Sequence, residues 1–364
     1  MGQETRFIAF NSARESLAKL HPAVLELEKM ARDRDSYVKF LEEWTRYSWK
    51  WARESKYATV FRIQASILRA IREYLDSHGF TEALPPIIGP VTDPGIRGAK
   101  QVTVDFYGHE YKVMSSAILY KQYMAAVLGK VYFVSPNIRL EPNDSIFTGR
   151  HLVEFFQVDI EILDGTLEDA MSLAEGLFMH VARYVEEVHG ADLEKLGRTL
   201  PEYRTPFARY THAEAVELVN RLGCRNPRNT EILWECEKVL SAHHTSPLFI
   251  YGYPKGSRGF YNREDPERPG YLRDFDMLYP EGFGEAISGG EREYEPAKVI
   301  ARIKESGEDP KKYKWFLEML RDFYPLKTAG FGIGVERLTR YICGLRAVWE
   351  SRPYPKVAGI GPTP

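Results

Sequence analysis

Cysteine is scarce in this chain: Cys224, Cys236 and Cys343 are the three among 364 residues. They stand far apart, with no CxxC and no His-pair spacing, which excludes a zinc site and a disulfide framework and leads us to expect buried free thiols. Long apolar runs are missing as well, so no bilayer-spanning helix is expected. The opening residues lack a signal-peptide pattern, and a reducing, cytoplasmic setting is the expectation. Excess positive charge is the third absence. Lys+Arg 49 against Asp+Glu 51 leaves a formal net charge of -2, which argues against a broadly basic nucleic-acid surface while leaving room for a local patch. There is no internal repeat and no low-complexity segment. What remains, 44% hydrophobic and 13% aromatic residues, is enough for one large domain or two smaller ones.

The first part of the chain reads as helices. Ser12 and Glu15 fit a capping box, and Pro22 suits the first turn of a second helix. A third helix carries Tyr37, Leu41, Trp44 and Trp51 on one stripe. A fourth carries Val60, Ile63, Ile67, Ile71 and Leu75 before Gly79 closes it. These stripes are core or subunit-packing faces. Beyond Gly79 the texture changes to short β-branched and aromatic runs broken by Pro and Gly, with helical stretches near 165–190, 208–222, 228–242 and 295–322. That mixture predicts an α+β fold, an antiparallel sheet with helices packed on it. The weakest join lies near 50–58, which divides the chain into a helical extension, 1–57, and a main domain, 58–364.

Three segments carry chemistry. The runs KVYFVSPNIRLEP and HLVEFFQVDIEIL predict a hairpin joined by the polar loop PNDSIFTGR. In the second run Phe156, Val158, Ile160 and Ile162 share one face, while Phe155, Gln157, Asp159 and Glu161 share the other. An aromatic, an amide and two acids beside Arg139 and Glu141 make a poor solvent face, and a ligand-binding surface is favoured over a wet one. In GFGEAISGGEREY, strict alternation sends Glu285 and Arg292 to opposite faces, whereas a Gly-rich bulge turns them the same way. By itself that segment reads equally as a turn between two solvated charges or as a site. In TAGFGIGVERLTRYICGL, a glycine-rich strand runs into a helix whose first turn holds Glu336 and Arg337. The glycines allow close approach of a flat base or a phosphate, and the helix start attracts anions. A dinucleotide fold is excluded because no βαβ unit follows.

Together these segments resemble, from about residue 58 to the end, the catalytic domain of class II aminoacyl-tRNA synthetases of the aspartate/asparagine group. GFTEALPPI at 79–87 is similar to that class's motif 1, IRLE with RHLVEFFQVDIE to motif 2, and GIGVERL to motif 3. The resemblance implies an ATP and Mg²⁺ site. Arg139 would contact the α-phosphate, Glu141 and Phe155 the adenine, and His151 and Arg337 the distal phosphates, with Arg139 and Arg337 as the catalytic pair. Glu285 and Asp276 would face the metal. Lys121, Gln157, Asp159 and Arg292 would surround the amino acid. A homodimer through motif 1 is implied as well, with the Trp44/Trp51 stripe adding to it.

Three departures mark the resemblance: Pro94, Ile118 and Thr328 stand where aspartyl enzymes carry Glu, Gln and His. The N-terminal extension is also too short for an anticodon-binding barrel. The pattern is most similar to archaeal asparagine synthetase-related proteins, which implies an AMP-forming aspartate–ammonia ligase working through an aspartyl-adenylate. Gly2 in place of an N-terminal cysteine points to free ammonia rather than glutamine. On this reading aspartate and ammonia are the small-molecule substrates, and tRNA is disfavoured as a partner. The alternatives are transfer of activated Asp or Asn to RNA or another acceptor, and a silent paralogue. Which carboxylate of aspartate is activated stays open.

Overall fold

The computed structural model describes residues 18–94 and 98–364; the Ser12–Glu15 capping box lies outside them. Four helices open the described chain: α1 (Pro22–Arg32), α2 (Arg34–Arg46), α3 (Ser48–Ala52) and α4 (Ser55–Ser77). Pro22 begins α1 as expected, and the His21 side chain accepts from Ala23 N to cap it. The expected third helix is instead two, turning at Tyr47. Across that turn Trp51 donates its indole N–H to the Trp44 carbonyl, and the two rings stack at 4.4 Å. The apolar stripe of α4 is fully buried, and Gly79, at φ +79°, follows its end.

The next elements are β1 (Thr81–Glu82), β2 (Ile88–Gly89), β3 (Thr103–Phe106), β4 (His109–Val113), α5 (Ile118–Leu128), β5 (Lys130–Ile138) and β6 (Glu154–Leu163). After them come α6 (Leu167–Lys195), β7 (Ala208–Thr211), α7 (His212–Arg221), α8 (Trp234–Ala242), β8 (Leu248–Tyr251), β9 (Asp274–Tyr279) and β10 (Gly284–Glu291). The chain closes with α9 (Pro296–Glu305), α10 (Lys314–Asp322), β11 (Thr328–Gly334) and α11 (Val335–Cys343). The stretch near 295–322 is thus two helices. Gly307, at φ +80°, and the Asp309-Pro310 step separate them.

Eight strands form one sheet in the order β1-β5-β6-β11-β10-β9-β8-β7. Its interior is antiparallel as expected, while the outer pairs β1/β5 and β7/β8 are parallel. One face, with Val158, Ile160, Phe275, Met277, Phe331 and Ile333, packs against α4 and α6 in the main core. The opposite face carries Gln157, Asp159 and Glu161 and is where the polar groups gather. A smaller sheet, β2-β4-β3, lies apart from the large one.

Cys224 and Cys236 correct the free-thiol expectation. They form a disulfide joining the end of α7 to α8, their Cα atoms 5.5 Å apart, while Cys343 stays free and buried. Twelve residues of sequence hid a contact that the return of α8 onto α7 creates. Among the described residues no helix is long and apolar enough to cross a membrane.

Candidate active site

The predicted hairpin forms with Lys130 opposite Ile162 and Ile138 opposite Glu154. This register turns Gln157, Asp159 and Glu161 away from the core, onto a face that β11 continues with glycines. A Cβ at Gly330 would stand 2.0 Å from the Ile160 carbonyl and 2.3 Å from Glu161 Oε2. At Gly332 it would meet Asp159 Oδ1 at 3.2 Å. The glycines of TAGFGIG therefore clear space for the carboxylates of the neighbouring strand. The bulge expected in GFGEAISGGEREY is present, but the register shifts between Glu285 and Ile287, around Ala286 rather than at the glycines. It leaves Glu285 and Arg292 on the same side of the sheet, at two ends of one polar surface.

At the Arg292 end, Glu161 is completely buried and receives a two-pronged ion pair, Arg292 Nε to Oε1 at 2.9 Å and Nη2 to Oε2 at 3.1 Å. Thr328 adds a hydroxyl donor to Glu161 Oε1 at 2.8 Å. Burial alone would raise the Glu161 pKa, but the Arg292 and Lys121 charges hold it below the ordinary carboxylate range. Lys121 reaches in from α5. Its ammonium lies 3.4 Å from both Asp159 and Glu161 and donates to the Phe331 carbonyl at 3.1 Å. Its burial pushes the lysine pKa down. Ser135 donates to Asp159 at 2.6 Å, and Asn137 donates to the Gln157 side-chain oxygen at 3.2 Å. Lys121, Gln157, Asp159 and Arg292 are thus brought together. Glu161 joins them as a member that the sequence showed on the right face without marking as a site residue. Two cations and two carboxylates make this end electrically balanced.

At the other end Glu285 lies between two arginines, Arg150 Nη2 at 3.2 Å and Arg337 Nη1 at 3.2 Å. Arg150 also pairs with Glu237 of α8 at 2.9 Å, and its carbonyl accepts from Arg337 Nε at 3.2 Å. His151 shares its Nδ1 with the Thr148 hydroxyl at 2.9 Å. Burial and the neighbouring Arg337 and Arg150 charges push its pKa well down, so the ring is neutral. Arg139 lies 5.0 Å over the Phe155 ring and donates from Nε to the Ser115 carbonyl at 3.0 Å. Glu141 sits three residues beyond β5, where its N–H donates to the Arg139 carbonyl at 2.8 Å. Glu336, beside Arg337, accepts from Phe156 N with both oxygens at 3.1 Å, and burial pushes its pKa up to about 7. Arg150 adjoins the predicted His151 and was legible as part of GRH. Glu237 arrives from a segment with no local signal.

Asp276 has a different partner. Arg258 Nη2 meets its Oδ2 at 2.5 Å while Nη1 donates to Ser288 at 3.2 Å, and Asp276 Oδ1 is buried without a hydrogen-bond partner. Among the described residues no group of three or more His, Cys, Asp or Glu side chains is arranged to hold a metal ion. A Mg²⁺ carried on polyphosphate needs only one or two carboxylates from protein. Of the departures noted in the sequence, Thr328 serves Glu161, whereas Ile118 is buried in an apolar cluster with Val91 and Phe260.

Comparison with known proteins gives this surface a context. The family described as tRNA synthetases class II (D, K and N) matches residues 41–358. The asparagine–tRNA ligase of Koribacter versatilis is 34% identical over 313 residues, 84% of this chain and 70% of that protein. The asparagine–tRNA ligase of Pyrococcus abyssi is 33% identical over 307 residues, again 84% of this chain, and 69% of that protein. The crystal structure of asparaginyl-tRNA synthetase from Pyrococcus horikoshii complexed with asparaginyl-adenylate superposes with a TM-score of 0.82 at 30% identity, covering 87% of this chain and 73% of that one. These findings overturn the expected aspartate–ammonia ligase, because the matched relatives are tRNA ligases over most of the chain. The ligase reading rested on the departures at Pro94, Ile118 and Thr328 and on the likeness they implied to short synthetase-related proteins, whereas the relatives matched over 84% of the chain are tRNA ligases. The expectation against tRNA is likewise without support, since the matched relatives are tRNA ligases.

Proposed function

The chain belongs to the class II tRNA synthetases of the D, K and N group, and from that premise we propose that it activates asparagine with ATP and transfers it to a tRNA. The observation that carries the choice of amino acid is the charge balance at the Arg292 end. An aspartate side chain would need an unmatched cation, but Lys121 and Arg292 already face Asp159 and Glu161. A neutral carboxamide, donor at one atom and acceptor at the other, suits a surface holding both signs.

In the proposed reaction the amino-acid carboxylate attacks the α-phosphorus of ATP. A carboxylate–phosphorus bond forms, the bond to the β-phosphate breaks, and pyrophosphate leaves. The nucleophile arrives ionised and needs no general base, so catalysis is positioning and charge stabilisation. Arg139 takes the α-phosphate, with Phe155 and Glu141 at the adenine. Arg337, Arg150 and neutral His151 take the distal phosphates, which replace Glu285 as partners of the two guanidiniums. Glu285 is then the carboxylate that would hold Mg²⁺, whose chemistry is to offset phosphate charge. Asp276, engaged by Arg258, is a poorer candidate. A tRNA 3′-terminal hydroxyl then attacks the aminoacyl carbonyl and AMP departs. Residues 58–364 form the catalytic domain in this proposal, with 1–57 an extension that serves it, and the working unit is a homodimer through the β1 region.

The test is ATP–pyrophosphate exchange with each amino acid, followed by charging of total tRNA with labelled asparagine. Exchange favouring asparagine and RNase-sensitive, acid-precipitable label are expected. Exchange with neither asparagine nor aspartate, or activation without an RNA product, overturns the proposal.

A further inference from the structure

Helix α1 precedes residue 41, where the family match begins, yet it is seated on the loops that carry the polyphosphate end of the site. A Cβ on Gly149, the residue before Arg150, would stand 2.4 Å from Leu27 Cδ2. A Cβ on Gly282, three residues before Glu285, would stand 2.2 Å from Leu20 Cδ2. Each glycine is a notch that an α1-side leucine fills, and both adopt positive φ, +63° and +86°. Leu27 shares a buried cluster with Ile146 and Leu152 of the loop between β5 and β6. His21 N donates to the Glu281 carbonyl at 2.9 Å, tying the start of α1 to the turn before β10.

Charge continues where the leucines stop. Glu28 forms an ion pair with Lys238 of α8, and the adjacent Glu237 pairs with Arg150, which in turn holds Glu285. Leu27, Glu28, Lys238, Thr148, Arg150 and Gly284 line a partly open pocket with about 20 Å³ of space for water-sized groups, room for a water molecule.

We propose that α1 is a positioning element for ATP: Leu27 and Glu28 act through the Gly149 loop and through Lys238 to hold Arg150, His151 and Glu285 in register for the distal phosphates. This rests on the proposed ATP-dependent activation. Glu28→Gln in the full chain is expected to weaken ATP, by calorimetric titration and in its exchange KM, by roughly fivefold, within the coupling range of contacting residues. The KM for asparagine and the Tm should stay unchanged, and Glu28→Asp should recover most of the loss. Leu27→Ala should weaken ATP in the same direction. Should that variant fail to fold, the double exchange Glu28→Lys with Lys238→Glu should bind ATP better than either single change. Equal ATP affinity in wild type and Glu28→Gln overturns the positioning role. So does a parallel rise in both KM values with a falling Tm, which marks plain support of the fold. Wild-type protein that binds ATP but exchanges no pyrophosphate overturns the function alone, and wild-type protein that binds no ATP overturns both.

Discussion

Arg139 and Arg337 each face a site where phosphate charge is proposed to build up, and neither is spent on the core. Arg139 gives the protein one backbone hydrogen bond and a ring contact, and Arg337 gives it the Arg150 carbonyl and Glu285. Replacing either with Ala removes charge-assisted contacts worth ~1.5–3 kcal/mol, felt mainly in the transition state. ATP–pyrophosphate exchange should fall at least tenfold with Tm nearly unchanged, and normal exchange would contradict the roles assigned. Glu161 offers a sharper test of substrate choice. Glu161→Gln keeps the shape but removes one negative charge opposite Arg292 and Lys121, leaving one cation unmatched. Exchange with aspartate should rise relative to asparagine. If the ratio of kcat/KM values does not move, the charge-balance argument for a carboxamide fails.

At the scale of single elements, α1 carries a pH dependence that can be worked out. Burial, helped by the Arg198 charge, pushes His21 down to about 4. The unfolded chain therefore takes up a proton near pH 6.5 that the folded protein refuses until about pH 4. Between those values the unfolded state binds more protons, so stability is full above pH 6.5 and declines as pH falls. Asn accepts from a backbone N–H as His21 does at this cap but does not titrate. In His21→Asn, thermal unfolding from pH 7 to 4 should show a shallower loss of Tm than wild type. An identical slope would assign the acid loss to other groups, such as neutral His151. The bulge at Ala286 shows a second element-level device. One extra residue keeps Glu285 and Arg292 on one surface, which no choice of side chain within a regular strand achieves.

For the whole molecule, the aromatic stripe is internal, so of the two roles its spacing allows, core or subunit face, it takes the core. Trp44 packs edge-on against Trp349 at 4.9 Å and against Tyr57 at 5.3 Å, and Tyr37 donates its hydroxyl to the Ile146 carbonyl. Those helices serve the chain's own core. Apart from Trp49 of α3, exposed apolar side chains include Leu84 at 95%, Ile87 at 65% and Val127 at 55%, on the segments after β1 and at the end of α5. Exposed apolar side chains of this kind suit an isologous interface. Light scattering at micromolar concentration should give a dimer mass, and Leu84→Glu should give a folded monomer. A monomeric wild type would remove the dimer from the proposal.

The sequence alone determined the alternation that makes β5 and β6 a hairpin with one apolar and one polar face, because a period of two is a local property of the chain. It also marked the glycine strand running into α11 and the order of the three motifs, since each is contiguous. It did not reveal that Glu161 would take the Arg292 fork, that Arg258 would claim Asp276, or that Cys224 would meet Cys236. Those partners are separated by 131, 18 and 12 positions. Nor did it assign α1 to the polyphosphate end, where Leu27 meets Gly149 across more than a hundred residues. Pairing between distant groups is settled only when strands and helices pack. Desolvation then makes an unmatched charge costly, so Glu161 and Asp276 keep the cations that the fold brings to them.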